Sequence, residues 1–188
     1  MRKLLIWLSL FFCCIAAAQP TSFGGITPGK TTRDELISLV STLSQGASED
    51  SFFYAEMNQP EGAYISGQLH GDVVYEVDVS LSLSPELKQA LLGKYGPPKF
   101  KVGSIRTVTC KNKFGASFTR LDGREELRWP VKDGVQGGIT RFARSCANGI
   151  SEHYTLRHNA TVKAIEAKEA AQLRKESEES RRKFDGNL

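Results

Sequence analysis

Between residues 73 and 83 the chain reads VVYEVDVSLSL. Tyr75, Val77, Val79, Leu81 and Leu83 alternate with Glu76, Asp78, Ser80 and Ser82, so successive side chains point to an apolar side and a polar side in turn. A strand with that pattern belongs to an antiparallel sheet that buries one face and wets the other. The rest of the chain must then supply more strands and a cover for the apolar face.

Two segments are suited to be that cover. Thr32-Arg33-Asp34-Glu35 is a capping box: the Thr32 hydroxyl can accept from a first-turn amide while Glu35 reaches back. Leu36, Leu39, Val40 and Leu43 follow at helical spacing. The second segment opens with Ser84-Pro85-Glu86-Leu87, presents Leu87, Leu91 and Tyr95 on one side, and stops at Gly96-Pro97-Pro98. The second unit echoes the first, which suggests a duplicated helix-then-strands plan.

Further strands are expected at 51–57, 63–69, 104–110, 114–121, 124–131, 138–146 and 152–158, with Asp122-Gly123 as a hairpin turn. Trp129, Phe118, Phe142 and Tyr154 are the expected large core residues of the later strands. Asn159 can cap a last helix over 160–183, rich in Ala, Glu, Lys and Arg, whose second half has no apolar face and reads as solvated. The fold class is therefore α+β, with antiparallel sheet, two short packed helices and a long C-terminal helix. Its segments are 19–98, 99–159 and 160–188.

Gly24 to Thr31 fits, letter for letter, the phosphate-loop pattern of Gly, four residues, Gly-Lys-Thr. A working phosphate loop needs a buried strand before it and free amides within it. Here only Gln19-Pro20-Thr21-Ser22-Phe23 precedes, and Pro28 lacks an N–H, so the segment is read as a turn into the first helix.

The same residues, Gly25-Ile26-Thr27-Pro28-Gly29-Lys30-Thr31-Thr32-Arg33-Asp34-Glu35-Leu36, resemble the opening of small exported modules typified by BamE (SmpA/OmlA) and by the tandem β-lactamase-inhibitor repeat. Shared are an apolar residue, a short glycine turn, a Ser/Thr cap and an acidic-apolar helix start. The resemblance covers residues 24–43 and implies helices packed on an antiparallel sheet. The lipobox cysteine and the Leu-Gly-x-Pro helix ending of those modules are missing, and their outer-membrane assembly role is not implied.

The N-terminus points to export. Met1-Arg2-Lys3 precedes an apolar run from Leu4 to Ile15 and then Ala16-Ala17-Ala18-Gln19, the layout of a secretory signal cleaved after Ala18. The run is shorter than the ~20 residues of a membrane span. Bulky Phe11 and Phe12 before Cys13 argue against a lipid anchor. Cleavage would leave Cys110 and Cys146 as the remaining cysteines, and an even pair in an oxidising compartment implies a structural disulfide. The expected location is the periplasm or outside the cell.

Charge is divided along the chain. Residues 19–98 hold four bases and ten acids, whereas 99–160 hold twelve bases and five acids. On alternating strands, Arg120, Arg128, Arg141, Arg144 and Arg157 could form a basic sheet face that holds an acidic protein or an anionic cell-wall or lipid polymer. Equally, the basic half could dock on the acidic half of its own chain. No nucleophile or metal-ligand signature is present: His70 stands alone, and His153 and His158, five apart on one strand, would face opposite sides. No cofactor, metal, catalytic set or nucleic-acid partner is expected. The sequence thus points to a non-enzymatic exported binding or accessory protein, an inhibitor of an envelope or secreted enzyme being one form. The alternative is a small periplasmic hydrolase of an anionic envelope polymer, using carboxylates beside a basic cleft.

Overall fold

A computed structural model describes residues 18–45, 51–59, 63–81, 85–143, 146 and 149–185. The expected signal segment, apart from Ala18, lies outside these residues, as do Leu83, Ser84 and Arg144. The elements run α1 (Arg33–Leu39), β1 (Val40–Gln45), β2 (Phe52–Met57), β3 (Tyr64–His70), β4 (Val73–Ser80), α2 (Pro85–Tyr95), β5 (Phe100–Lys111), β6 (Ser117–Arg128), β7 (Val135–Ala143), β8 (Ser151–His158) and α3 (Asn159–Asp185). All eight strands join one antiparallel sheet in the order β1-β2-β3-β4-β8-β7-β6-β5. Each half is a helix followed by a four-strand meander, and the halves meet where β4 pairs with β8. The α+β expectation and the echo of helix-then-strands both appear in this arrangement.

One apolar core serves both halves. Leu36 of α1 and Leu91 and Tyr95 of α2 lie in the same cluster as Phe53, Met57, Leu69, Val77, Ile139, Tyr154 and Leu156. Along it, Phe23, Tyr154, Trp129 and Tyr95 touch edge to face at centroid separations of 6.0, 6.2 and 6.1 Å, the geometry that aromatic quadrupoles favour. The Trp129 indole Nε1 donates to Gly96 O at 3.0 Å, tying the end of α2 to the sheet. Gly67 is fixed by this packing, because a Cβ there would come within 2.3 Å of Glu76 O and 2.6 Å of the Phe53 ring.

The capping box forms in full: Glu35 N donates to Thr32 Oγ1 at 3.3 Å and Thr32 N to Glu35 Oε2 at 2.8 Å. The helix that it starts is shorter than the spacing of Val40 and Leu43 suggested. Val40 is already extended and pairs with Met57, so both residues belong to β1. β-branched Val40 and Thr42 favour that change.

Other local readings also give way to neighbours. The register breaks between Gln68 and Leu69, so Val74 takes the core position and Tyr75 turns to the other face, where its hydroxyl donates to Gln68. Asp122-Gly123 is not a turn. Gly123, at φ 117°, lies inside continuous β6 opposite Ile105, and a Cβ on it would stand 2.5 Å from Ser104 O. The β5–β6 turn is at 112–116 instead. Of the four expected core aromatics, Trp129 and Tyr154 are buried. Phe142 stacks on His153 and Phe118 lies beneath Arg120, both half-buried. Beyond Ile165 the described side chains of α3 are exposed, as its composition suggested.

Candidate interaction surface

Of the arginines expected to share one basic face, the four described are distributed over three places. Arg128 and Arg157 lie on the side of the sheet away from the core that α1 and α2 cover. Arg157 Nε meets Glu76 at 2.9 Å, its NH1 lies 3.6 Å from Glu126, and Arg128 meets Glu126 at 2.7 Å. Beside them Asp78 accepts from Thr155 at 3.0 Å and pairs with His153. The Arg157–Glu76 and His153–Asp78 pairs cross the β4–β8 seam, so there the basic half does dock on the acidic half.

Arg141 is on the opposite side, the one that α2 packs on. It binds Glu125, and its Nε meets Glu152 at 2.9 Å. Lys101 reaches Glu125 at 2.7 Å, and Lys88 of α2 reaches Glu152. The Lys101 ammonium, aided by Arg141, holds the Glu125 carboxyl below its ordinary value against the upward pull of burial. Two carboxylates therefore do stand beside Arg141, but each is claimed by two cations. The adjoining depression, about 560 Å³ between Leu81, Pro85, Lys88, Ile150 and Glu152, is open to solvent. Both carboxylates are thus ion-pair partners of Lys88, Lys101 and Arg141.

Arg120 is elsewhere again, on a ribbon that, among the described residues, β5 and β6 form by themselves. β7 pairs with β6 over residues 123–128, whereas β5 pairs with it over residues 117–128. Residues 106–111 and 117–122 thus extend as a two-stranded ribbon, roughly 20 Å long at the usual strand rise. Such a ribbon is marginal by itself. Here Cys110, near its far end, is bonded to Cys146, with the two Cα atoms 5.5 Å apart. The disulfide clasps the ribbon to the segment that follows β7.

Residues 100–124 carry Lys101, Arg106, Lys111, Lys113, Arg120 and Arg124 against Asp122 as the acid. Lys101 is held by Glu125, and Arg106 lies 3.8 Å from Asp122. Among the described residues Lys111, Lys113, Arg120 and Arg124 meet no carboxylate and are exposed. Arg120 lies over the Phe118 ring at 4.9 Å, which orients the guanidinium without neutralising it.

At the tip, Asn112 Oδ1 accepts from Phe114 N at 2.9 Å and Ala116 N at 3.0 Å, while Asn112 N donates to Ala116 O and Gly115 N to Asn112 O. Gly115, at φ 80°, permits the bend. Phe114 stands out from this turn, 82 % exposed, with Lys113 Nζ 5.0 Å from its ring. Lys111, Lys113 and Phe114 were not singled out in the sequence. Asn-Lys-Phe-Gly between two basic strand runs was the available signal, masked by assigning the turn to Asp122-Gly123.

In the Gly24–Thr31 loop, Gly29 N donates to Val74 O, Lys30 N and Thr31 N donate to Thr27 O, and Thr27 N donates to Thr31 Oγ1, so these amides serve the fold. His158 packs against Gly29 and Gly134 and pairs with Thr161. No group of three or more His, Cys, Asp or Glu that could hold a metal occurs among the described residues, and no described helix is long and apolar enough to cross a membrane. Compared with known proteins, the chain matches no family model, no curated protein and no solved structure.

Proposed function

We propose that this is a non-enzymatic exported binding or accessory protein, working in the periplasm after removal of residues 1–18, and that it grips an anionic partner with the β5–β6 ribbon. The observation that carries the reading is the unequal fate of its cations. Arg128, Arg141 and Arg157 are neutralised within the fold, whereas Lys111, Lys113, Arg120 and Arg124 stand exposed without a carboxylate on a ribbon clasped by the disulfide. Rigid cations extended from a sheet steer and hold anionic surfaces. The disulfide and the signal-like N-terminus agree with an oxidising, exported setting. Glu125 and Glu152, both bound by cations beside an open depression, weigh against the hydrolase alternative.

The test is salt-dependent retention on an immobilised polyanion, comparing the unaltered protein with a Lys111→Glu, Lys113→Glu, Arg120→Glu variant. Affinity should fall at least about ten-fold in the variant. Lys163→Glu on exposed α3 should leave it unchanged. Equal retention of the ribbon variant and the unaltered protein would overturn the assignment.

A further inference from the structure

The tip of the ribbon carries more than charge, and it narrows the class of anionic partner. We propose that the 112–116 turn docks on an anionic lipid bilayer, with Phe114 entering the interfacial layer and Lys111, Lys113 and Arg120 resting on the headgroups. The proposal rests on the cationic-ribbon reading and adds a bilayer as the partner.

Three independent features converge on it. Among the described residues Phe114 is the most exposed of the large apolar side chains, at 82 %, and it occupies the turn at the ribbon's end. An anionic polymer would gain little from an aromatic there, whereas an interfacial layer rewards an apolar ring set among cations. The turn is also braced. Asn112 accepts two amides and donates to Ala116 O, so Phe114 is presented without the ordering cost of a floppy loop. Finally, the cystine two residues before Asn112 holds the far end of the ribbon, transmitting load from the tip to the segment after β7.

The energetics suit a reversible contact. Cations near an anionic surface and an apolar ring entering the interfacial layer each add a modest, separate contribution. Neither alone anchors a protein. Together they give an attachment that depends both on anionic lipid and on the ring.

The experiment uses the processed form beginning at Gln19 and vesicles of phosphatidylcholine with or without phosphatidylglycerol. Co-sedimentation is expected with the mixed vesicles only, and Phe114→Ala should weaken it about ten-fold or more. In Phe114→Trp, binding should persist and emission should shift to the blue on adding mixed vesicles. The other tryptophan of that form, Trp129, is buried in the core and will not respond. If Phe114→Ala binds mixed vesicles like the unaltered protein, or the Phe114→Trp emission does not move, the bilayer proposal is overturned. Should polyanion retention still depend on Lys111, Lys113 and Arg120, the broader reading survives that loss; should it not, both fall together.

Discussion

The two halves of the sheet follow one plan and end in very different edges. The first half, α1 and β1 to β4, closes on β1, a strand of six residues whose register slips between Val40 and Thr42. The second, α2 and β5 to β8, closes on β5, twelve residues in unbroken register with β6. A short, irregular edge is the usual protection against unwanted strand pairing. The long edge has no such break, carries Lys101, Arg106 and Lys111, and runs past its neighbours into the cationic ribbon. The comparison teaches that bulk charge along the chain is a poor guide to surface chemistry. Glu76 and Asp78 of the acidic half meet Arg157 and His153 at the β4–β8 seam, Arg141 is met by acids of its own half, and four exposed cations with no carboxylate among the described residues lie where the second half outgrows the first.

The strongest way to break this comparison is to ask whether the halves are separable at all. Trp129→Ala, in the second half, should cost about 3–5 kcal/mol, and Leu36→Ala, in the first, about 2–5 kcal/mol. Since both side chains sit in one core, each variant should still unfold in a single transition by denaturant titration. A second, unshifted transition in either variant would mean two cores.

The disulfide should instead separate the halves. Closing 36 residues of chain is worth up to about 4 kcal/mol in the loop-entropy account, less any strain in the native bond. The Cys110→Ser, Cys146→Ser variant should therefore lose thermal stability. Its amide exchange should quicken along 106–122 and stay slow in β2, β3 and β4. Uniform quickening across the sheet would show that the clasp supports the whole fold rather than the ribbon.

A smaller effect is expected from Arg141→Met. It leaves Glu125 to Lys101 and Glu152 to Lys88, so neither carboxylate is stranded, and the cost should be about 1–2 kcal/mol in denaturant midpoint. A loss as large as that of Trp129→Ala would show that the lysines do not hold the two acids in its absence.

Much of this was legible in the sequence wherever local and tertiary preferences agree. The Thr32–Glu35 box, the Pro85 start of α2, the alternation after Val77 and the cysteine pair all stand where the residues put them. The misreadings share a cause: a partner strand decided the outcome. Val40 satisfies helical spacing as well as strand propensity, and pairing with Met57 settles it. Asp122-Gly123 has turn chemistry, yet Gly123 is needed because Ser104 O comes too close for any Cβ. Tyr75 obeys the alternation until the bulge opposite Gln68 and Leu69 displaces it. Arg120, Arg128, Arg141 and Arg157 do stand on strands, but strand parity alone does not reveal which of them a carboxylate on the next strand will neutralise.

The smallest expected effect tests the electrostatic side of the same contrast. Glu125, only 5 % exposed, is held ionised by Lys101 and Arg141, so its folded pKa lies below the unfolded value, near 4.5. A carboxyl shifted in that direction adds stability that is fully present above the unfolded value and is lost as pH falls through the folded one. Between pH 7 and pH 6 this group should therefore contribute almost no slope to stability, the loss setting in as pH approaches the unfolded value. Below about pH 4.5 the unaltered protein should lose stability on acidification, and the β6–β7 amides around Glu125 should open first. Glu125→Gln should be less stable at pH 7, because Lys101 and Arg141 lose a charged acceptor, and its acid limb should be shallower. Denaturant midpoints of the two proteins from pH 3 to pH 7 should converge as pH falls. Parallel curves would mean that the cations around Glu125 stabilise the carboxylate no better than water does, and that the second half's internal ion network is packing rather than electrostatics.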